Sequence, residues 1–308
     1  MRVVVGTRGS KLALWQTKHV AGLLRAGSPD LEVEVKTIQT RGDVVRDRAL
    51  SQVGGKGLFV KEIENALLSG EIDLAVHSLK DMPTEQPEGL TLGAILERAD
   101  PRDALVVRTG QGSLDDLPRG ARVGTSSLRR RAQLLAARPD LEVLDLRGNV
   151  DTRLRKLREG QYEAVVLAAA GLARLGFEAA ASQALPVDVM LPAVGQGALC
   201  VEIRAEDGAT QALLSMLDHT ATRWATMAER ALLRRLEGGC QVPIGAYGQE
   251  DGGQLVLQGM VAALDGSRIV RDEIQGPAKE AEALGAALAE RLLASGGREI
   301  LEEVRRAS

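Results

Sequence analysis

The segment LLSGEIDLAV at residues 67–76 recurs 90 residues later as LREGQYEAVV at residues 157–166. Both copies carry a leucine, a glycine three residues later, and then an acidic residue that leads into an apolar run. Short apolar runs of this kind predict a buried strand. The recurrence therefore predicts that the chain contains the same structural unit twice.

Two further pairs of motifs occur in the same order. VGTRGS at residues 5–10 and VGTSS at 123–127 each predict a strand, a Gly-Thr turn and a helix capped by Ser or Thr. An alternating segment at 31–35 leads to RGD at 41–43, and residues 142–146 lead likewise to RGN at 147–149. The three pairs predict two α/β domains of similar build. Chance similarity is the alternative, because turns between strands and helices favour Gly, Ser and Thr in many proteins.

Two such domains facing each other would create a cleft lined by helix N-termini. Ligands of open α/β sheets bind beyond the carboxyl ends of the strands, where helices begin. The free N–H groups and the helix dipole both favour an anion at such a place. The repeat therefore predicts a cleft that binds anions.

Composition excludes several classes of protein. With 308 residues and 44% hydrophobic content, the chain is long enough for two or three domains. Its only cysteines, Cys200 and Cys240, argue against a disulfide framework and fit a reducing compartment. Residues 1–6 predict a strand rather than a signal peptide, and no apolar run reaches the length of a membrane span. A net charge of −3 and 2% aromatic residues argue against nucleic acid as a partner. We therefore expect a cytoplasmic protein without a membrane segment.

The chain divides at two places. The charged, proline-containing segment 97–103 predicts a boundary between the halves, and the second half is expected to end near residues 191–197. A small α+β domain is predicted from a helix at about 222–236, strands between 254 and 274 around an Asp265-Gly266 turn, and a helix at about 278–293. The expected domains are residues 1–98 with 198–217, residues 99–197, and residues 218–308.

One copy of the repeat ends in ionisable residues and the other does not. HSLKDMP at residues 77–83 follows the first predicted strand, whereas LAAAG at 167–171 follows the second. Such asymmetry is typical of an active site built on one of two similar domains. Asp81, with Lys80 beside it, is the candidate acid or base, and the alternative is a surface Lys-Asp pair before a proline turn. His77 is expected to be structural, because it lies on an otherwise apolar strand.

Arginines cluster near the predicted ends of strands. Guanidinium groups are always charged and bind carboxylates or phosphates in a bidentate manner, so the set predicts a ligand with several acidic arms. Any single arginine, Arg131 and Arg155 in particular, could instead be an ordinary solvated helix position. The set comprises Arg8, Arg41, Arg129, Arg130, Arg131, Arg147, Arg153, Arg155 and Arg174.

Two glycine-containing loops complete the candidates. LEGGCQVPIG at residues 236–245 places Cys240 between a glycine pair and a Val-Pro turn, which favours an exposed thiol that is an attachment point or a nucleophile. The alternative is a buried cysteine that packs as a small apolar residue. GGKGLFVK at 54–61, with Lys56 and Lys61, lacks the spacing of a phosphate-binding loop and predicts a mobile lid over the cleft. No zinc-ligand spacing or Ser-His-Asp order stands out.

Taken together, these motifs resemble one family, the porphobilinogen deaminases, also called hydroxymethylbilane synthases. The resemblance spans essentially the whole chain, in the expected order, and rests on residues 7–16, 54–61, 77–83, 124–130, 146–152 and 236–245. It implies a fold of three domains, the first two resembling type II periplasmic binding proteins. It also implies a dipyrromethane cofactor linked through a thioether to Cys240, and Asp81 as the essential acidic residue with Lys80 as its neighbour.

The resemblance assigns the remaining site residues as well. The arginines that would hold acetate and propionate arms are Arg8, Arg129, Arg130, Arg147, Arg153 and Arg174, and the matching hydroxyl and backbone donors are Ser10, Thr125, Ser126 and Ser127. Arg131 receives no role.

The implied reaction is the stepwise condensation of four porphobilinogen units onto the cofactor, with loss of ammonia at each step and release of hydroxymethylbilane for tetrapyrrole synthesis. It would need no metal and no nucleotide. The implied enzyme is a transferase, expected as a monomer in which domains and lid move as the chain grows. Two alternatives are a receptor for a small polyanion, which leaves Asp81 and the cysteine loop unexplained, and a phosphate-transferring enzyme, which lacks its phosphate loop and metal carboxylates.

Overall fold

The structure is a computed structural model, and it describes residues 1–40, 60–237 and 242–307. The chain forms two compact units. Unit 1 comprises Met1–Ala99 and Ala198–Arg223, and unit 2 comprises Asp100–Gly197 and Trp224–Ser308. Strands and helices are numbered below in chain order along the described residues.

Unit 1 is built on a five-stranded mixed sheet with the order β2-β1-β3-β10-β4. β1 runs parallel to its neighbours β2 and β3, and β10 is antiparallel to both of its neighbours. The five strands are β1 (Arg2–Thr7), β2 (Glu32–Thr37), β3 (Leu74–Ser78), β4 (Leu90–Ile95) and β10 (Leu199–Arg204). The helices are α1 (Lys11–Gly27), α2 (Lys61–Leu68) and α6 (Gly208–Leu214).

The helix α1 begins where the sequence predicts a capped helix. The hydroxyl of Ser10 accepts a hydrogen bond from the N–H of Ala13 at 3.2 Å, which satisfies one free donor of the first turn. The apolar face of α1, with Val20 and Leu24, then packs on Val3 and Val5 of the alternating strand β1.

Unit 2 contains a second sheet with the matching order β7-β6-β8-β5-β9. Here β6 is parallel to β7 and β8, and β5 is antiparallel to β8 and β9. The strands are β5 (Asp103–Val107), β6 (Arg122–Gly124), β7 (Glu142–Leu144), β8 (Ala164–Ala168) and β9 (Gln183–Ala184). The helices beside them are α3 (Leu128–Ala137), α4 (Val150–Arg158) and α5 (Ala169–Arg174).

The register of the two sheets confirms the repeat. Gly6 lies opposite Ala75 in the first sheet, and Gly124 lies opposite Val165 in the second. A Cβ atom on Gly6 would lie 2.2 Å from Cδ1 of Ile72, and one on Gly124 would lie 3.0 Å from Cδ1 of Tyr162. Ile72 and Tyr162 hold equivalent places in the recurring segment. Each Gly-Thr turn therefore carries glycine because the side chain of its repeat partner fills the adjacent space.

The rest of unit 2 is a small α+β layer. Its antiparallel sheet β11 (Ile244–Asp251), β12 (Gln254–Ala262) and β13 (Ile269–Pro277) packs with α7 (Thr220–Arg235), α8 (Ala281–Leu292) and α9 (Arg298–Ala307). The predicted Asp265-Gly266 turn does join β12 to β13, and the predicted fold class of two similar α/β domains with a small α+β domain is confirmed. Sequence analysis misses β11, whose glycines dilute the strand pattern, and α9, which follows a break at Gly296.

Candidate functional site

In unit 1, Asp81 lies directly beyond the carboxyl end of β3. The strand ends at Ser78 and continues as a single 3₁₀ turn, Leu79–Asp81. The N–H of Leu79 donates to the carbonyl of Ala198 at 3.1 Å, and the N–H of Met82 donates to the carbonyl of Leu79 at 3.1 Å. Leu79 and Met82 are buried, whereas Asp81 is exposed. Apolar anchors on both sides of the turn therefore present the carboxylate of Asp81 outward.

The neighbouring end of β1 carries Arg8 and Ser10, both half-buried. Because β1 and β3 are adjacent parallel strands, their carboxyl ends lie at the same edge of the sheet. Gln16 connects the two ends: its side chain is 3% exposed and its Nε2 donates to Oγ of Ser78 at 2.8 Å. Unit 1 thus brings Arg8, Ser10 and the Lys80–Asp81 turn to one edge.

In unit 2, the predicted hydroxyl donors organise the loop between β6 and α3. The Ser127 hydroxyl caps α3 by accepting from the N–H of Arg130, and Oγ1 of Thr125 accepts from the N–H of Ser127. The Ser126 hydroxyl bridges to the backbone of Leu146, donating to its carbonyl at 2.9 Å and accepting from its N–H at 3.0 Å. These three side chains therefore hold the loop that presents the N-terminus of α3.

The next loop of unit 2 prepares a second helix N-terminus. Asn149 caps α4 by accepting from the N–H of Thr152 at 3.1 Å, and Nε of Arg153 donates to the carbonyl of Gly148 at 2.8 Å. Gly148 has a φ of 108°, which L side chains rarely adopt. Arg147 precedes it and is half-buried. Arg147 and Arg153 thus lie on either side of the turn that opens α4.

A buried carboxylate binds two of the predicted arginines. Asp103, at the start of β5, is 0% exposed, while Arg129 and Arg130 are 4% and 6% exposed. Nη1 of Arg129 lies 2.7 Å from Oδ2 of Asp103, and Nη2 and Nε of Arg130 lie 2.6 and 3.0 Å from its Oδ1. Nε2 of Gln196 also donates to Oδ1 at 3.0 Å. The two guanidinium groups are therefore held in place by one fully buried partner.

This cluster carries an excess of positive charge. Burial would raise the pKa of Asp103, but the charges of Arg129 and Arg130 outweigh it and hold that pKa below its ordinary value. One carboxylate balances only one of two guanidinium groups. Nε of Arg129 is buried and has no hydrogen-bond partner among the described residues. A cluster of this kind fits a ligand with carboxylate arms.

Arg174 lies at the end of α5, and its Nη2 donates to the carbonyl of Gly197 at 2.6 Å. Burial lowers its pKa to about 10, so the guanidinium remains charged at neutral pH. Among the other predicted site residues, Lys61 is exposed at the start of α2. Cys240 and Lys56 lie outside the described residues.

Sequence reasoning missed three buried polar residues near these sites. Asp103 was included in the predicted boundary segment, although a carboxylate directly before the apolar run of β5 is a signal for a buried partner of arginine. Gln16 has no such signal, because an amide is ordinary on a helix. Glu202 interrupts the apolar run LCVEI of β10, and a charge inside a buried strand indicates a paired group.

Comparison with known proteins places the chain in a family. Two family models match it: one described as porphobilinogen deaminase, dipyromethane cofactor binding domain, over residues 3–212, and one described as the C-terminal domain of porphobilinogen deaminase, over residues 224–294. A porphobilinogen deaminase of Geobacter sulfurreducens is 56% identical over 303 residues, which cover 98% of this chain and 95% of that protein. One from a Roseiflexus species is 56% identical over 299 residues, covering 97% and 98%. The chain therefore belongs to the porphobilinogen deaminase family.

Solved structures with partial similarity to this chain include two periplasmic binding proteins. The methionine-binding protein MetQ has a TM-score of 0.46 and 14% identity, covering 70% of this chain and 89% of that one. A TRAP periplasmic solute binding protein from Desulfovibrio salexigens has a TM-score of 0.42 and 10% identity, covering 73% and 74%. Similarity at this level says nothing about the ligand of this chain. Within the described residues, no helix has the length and apolar character needed to cross a membrane.

Proposed function

We propose that this chain is a transferase that condenses four porphobilinogen units head to tail on a dipyrromethane primer and releases hydroxymethylbilane, with loss of one ammonia per unit. The observation that carries the proposal is Asp81, an exposed carboxylate held on a fixed turn at the carboxyl end of β3, in a chain of the porphobilinogen deaminase family. In the other copy of the repeat, Ala170 and Gly171 stand where the first copy has Lys80 and Asp81.

Asp81 carries the proton chemistry of each cycle. Loss of ammonia from the aminomethyl arm of porphobilinogen leaves a positive charge on the substrate ring. A carboxylate beside that ring stabilises the charge, and it would accept the proton that the nucleophilic pyrrole carbon loses once the new carbon–carbon bond has formed. That proton then leaves with ammonia as ammonium, so Asp81 is regenerated for the next cycle. Lys80, the adjacent residue on the turn, binds a carboxylate arm and keeps the turn charge-balanced.

The arginines of unit 2 bind the acidic arms. The cluster of Arg129, Arg130 and Asp103 has a net positive charge, and the N-termini of α3 and α4 add N–H donors that favour anions. Arg147, Arg153, Arg174 and, in unit 1, Arg8 extend the same chemistry, and their fixed charges favour acetate and propionate over a neutral ligand.

The same donor set fits the dipyrromethane cofactor, because cofactor and substrate carry the same acidic arms. When bound, the cofactor supplies an electron-rich pyrrole carbon as the nucleophile. Cys240 would hold it through a thioether, and the arginines of unit 2 would bind its carboxylates. Lys56 and Lys61 belong to the segment proposed as a lid.

The proposal also includes the organisation of the chain. We assign the catalytic domain to residues 1–98 and 198–217, the anion-binding domain to residues 99–197, and the cofactor-bearing domain to residues 218–308. We also propose that the enzyme acts in the cytoplasm as a monomer, without nucleic acid.

The test compares two Asp-to-Asn variants in the presence of porphobilinogen. Asp81→Asn removes the proton acceptor while keeping the size of the side chain, and ammonia release is expected to fall about 100-fold or more with the fold and the cofactor retained. Asp30→Asn, an exposed residue at the loop before β2, is the matched control and is expected to release ammonia at the wild-type rate. Substantial turnover by Asp81→Asn would refute the assigned role, and an inactive wild-type chain that carries cofactor would refute the function.

A further inference from the structure

A buried ionisable cluster lies between the sheet of unit 1 and the helix α2. His77 on β3 and Glu202 on β10 approach within 3.2 Å, measured from Nε2 to Oε2, and their side chains are 5% and 0% exposed. Glu64 on α2 is buried as well, and the charges of Glu202, His77 and Lys61 act on it. His77, Glu202 and Glu64 take no part in the proposed chemistry.

Glu202 is fully buried and needs a partner close by. A carboxylate without a partner is costly to bury, and neither oxygen of Glu202 has a hydrogen-bond partner among the described residues. Burial, and then the charge of Glu202, raise the pKa of Glu64 above its ordinary value, while the charges of His77 and Lys61 oppose that shift. Arg204, the cation at the far end of β10, is paired with Asp73 and Asp207. Nε2 of His77, 3.2 Å from Oε2 of Glu202, is therefore the group placed to compensate that carboxylate.

The pair joins the two strands that hold the turn bearing Asp81. In the ladder between β3 and β10, Cys200 lies opposite His77 and Leu199 lies opposite Ser78. The next contact is the hydrogen bond from the N–H of Leu79 to the carbonyl of Ala198, which anchors the 3₁₀ turn. Movement of β3 relative to β10 at His77 would therefore be transmitted to the turn, which begins two residues later at Leu79.

We propose that His77 and Glu202 are positioning residues, and that their buried contact locks β3 to β10 and so fixes the turn that presents Asp81. The inference rests on the proposed function, in which Asp81 acts on porphobilinogen. The pair touches no reacting group, so its effect on the rate passes through the turn alone.

Three variants test the proposal. His77→Gln and Glu202→Gln each leave one buried polar group without its native partner, whereas the double variant places two neutral amides at the same site. In each single variant, hydrogen exchange at the N–H groups of Leu79 and Met82 is expected to accelerate about tenfold or more while exchange in β1 stays at the wild-type rate. The kcat for porphobilinogen is expected to fall about tenfold or more at unchanged KM, because a small displacement of Asp81 slows the chemistry without weakening binding. Both quantities are expected to recover to within about threefold in the double variant, since two amides can hydrogen-bond to each other and leave no buried polar group without a partner.

A surface pair in the same unit provides the control. Glu71 and Lys36 are 3.0 Å apart and both about half exposed, so Glu71→Gln is expected to change neither exchange nor kcat. Single variants with unchanged exchange at Leu79 and Met82, or with exchange raised equally in β1, would overturn the proposal. A double variant as impaired as the single ones would overturn it too, and this comparison still decides if one single variant does not fold. The exchange measurement needs no substrate, so an inactive wild-type chain would count against the proposed function and not against the positioning role.

Discussion

Replacing Asp103 with asparagine tests the buried charge cluster of unit 2. The isosteric amide keeps the volume but removes the only acidic partner recorded for Arg129 and Arg130 among the described residues. Four donor atoms converge on this carboxylate at 2.6 to 3.0 Å, and all three ionisable side chains are at least nine-tenths buried. Removing one partner of a buried ion pair costs about 3–5 kcal/mol, because the charge left behind is neither solvated nor balanced.

Urea unfolding measures this cost. The chain has two tryptophans, Trp15 in unit 1 and Trp224 in unit 2, so a Trp15→Phe background makes fluorescence report on unit 2. With a slope of about 1–3 kcal/mol per molar urea, a cost of about 3–5 kcal/mol places the midpoint of Asp103→Asn about 1–5 M below that of the background protein. Asp140→Asn is the matched control, because Asp140 also binds an arginine of unit 2, Arg138, but near the surface, and its midpoint is expected to change little. If the midpoint of Asp103→Asn lies as close to that of the background protein as the midpoint of Asp140→Asn does, the reasoning is refuted.

Three further predictions concern unit 2. The pKa of Asp103 is lower in the folded protein than its unfolded value of about 4, so the stability that its charge contributes is fully present above about pH 4. The difference in urea midpoint between Asp103→Asn and the background is therefore expected to shrink only as the pH falls below about 4. A difference that disappears nearer neutral pH would contradict this. Gly266→Ala is expected to lower the urea midpoint strongly, since the φ of Gly266 is 73° and an added Cβ would lie 2.5 Å from a backbone nitrogen of α3. Gly252→Ala is expected to lower the midpoint less, since Gly252 has a φ of 57° but open space around it. Equal effects of the two substitutions would count against the packing argument. Arg130→Leu is expected to lower the fraction of chains that carry the cofactor about tenfold relative to Arg131→Leu, a control at an exposed position. Intact mass measures that fraction. Equal fractions in the two variants would exclude a role of Arg130 in holding the acidic arms.

The repeat made most of the fold predictable from sequence. The recurring segments place β3 and β8 in the same register against β1 and β6, because local patterns of glycine and apolar residues are enough to define strand, turn and helix. The ladder that brings β10 beside β3, and β5 beside β8, depends on pairing between segments far apart in the chain. Such pairing leaves no local pattern, so the sheet order needed the structure.

The sequence also predicts a candidate site, and the roles of its residues stay predictions. The asymmetry between the two copies predicts Asp81, and the positions at strand ends predict the arginines. Asp103 and Glu202 were missed, because a single acidic residue shows its role only when its partner is known, and the partners are 26 and 125 residues away. The hydroxyl of Ser126 is predicted as a ligand donor, a role that stays a prediction, and in the structure it holds the loop before α3 by bonding to the backbone of Leu146.

The central claim is that this chain builds a linear tetrapyrrole on a primer bound to Cys240. The most direct test weighs the purified protein under denaturing conditions, before and after incubation with porphobilinogen, and maps any added mass to a peptide. The account predicts an excess equal to two linked pyrrole rings on the peptide that contains Cys240, present at the outset or formed during the incubation. A chain that stays bare in porphobilinogen, or an adduct on another peptide, would contradict it.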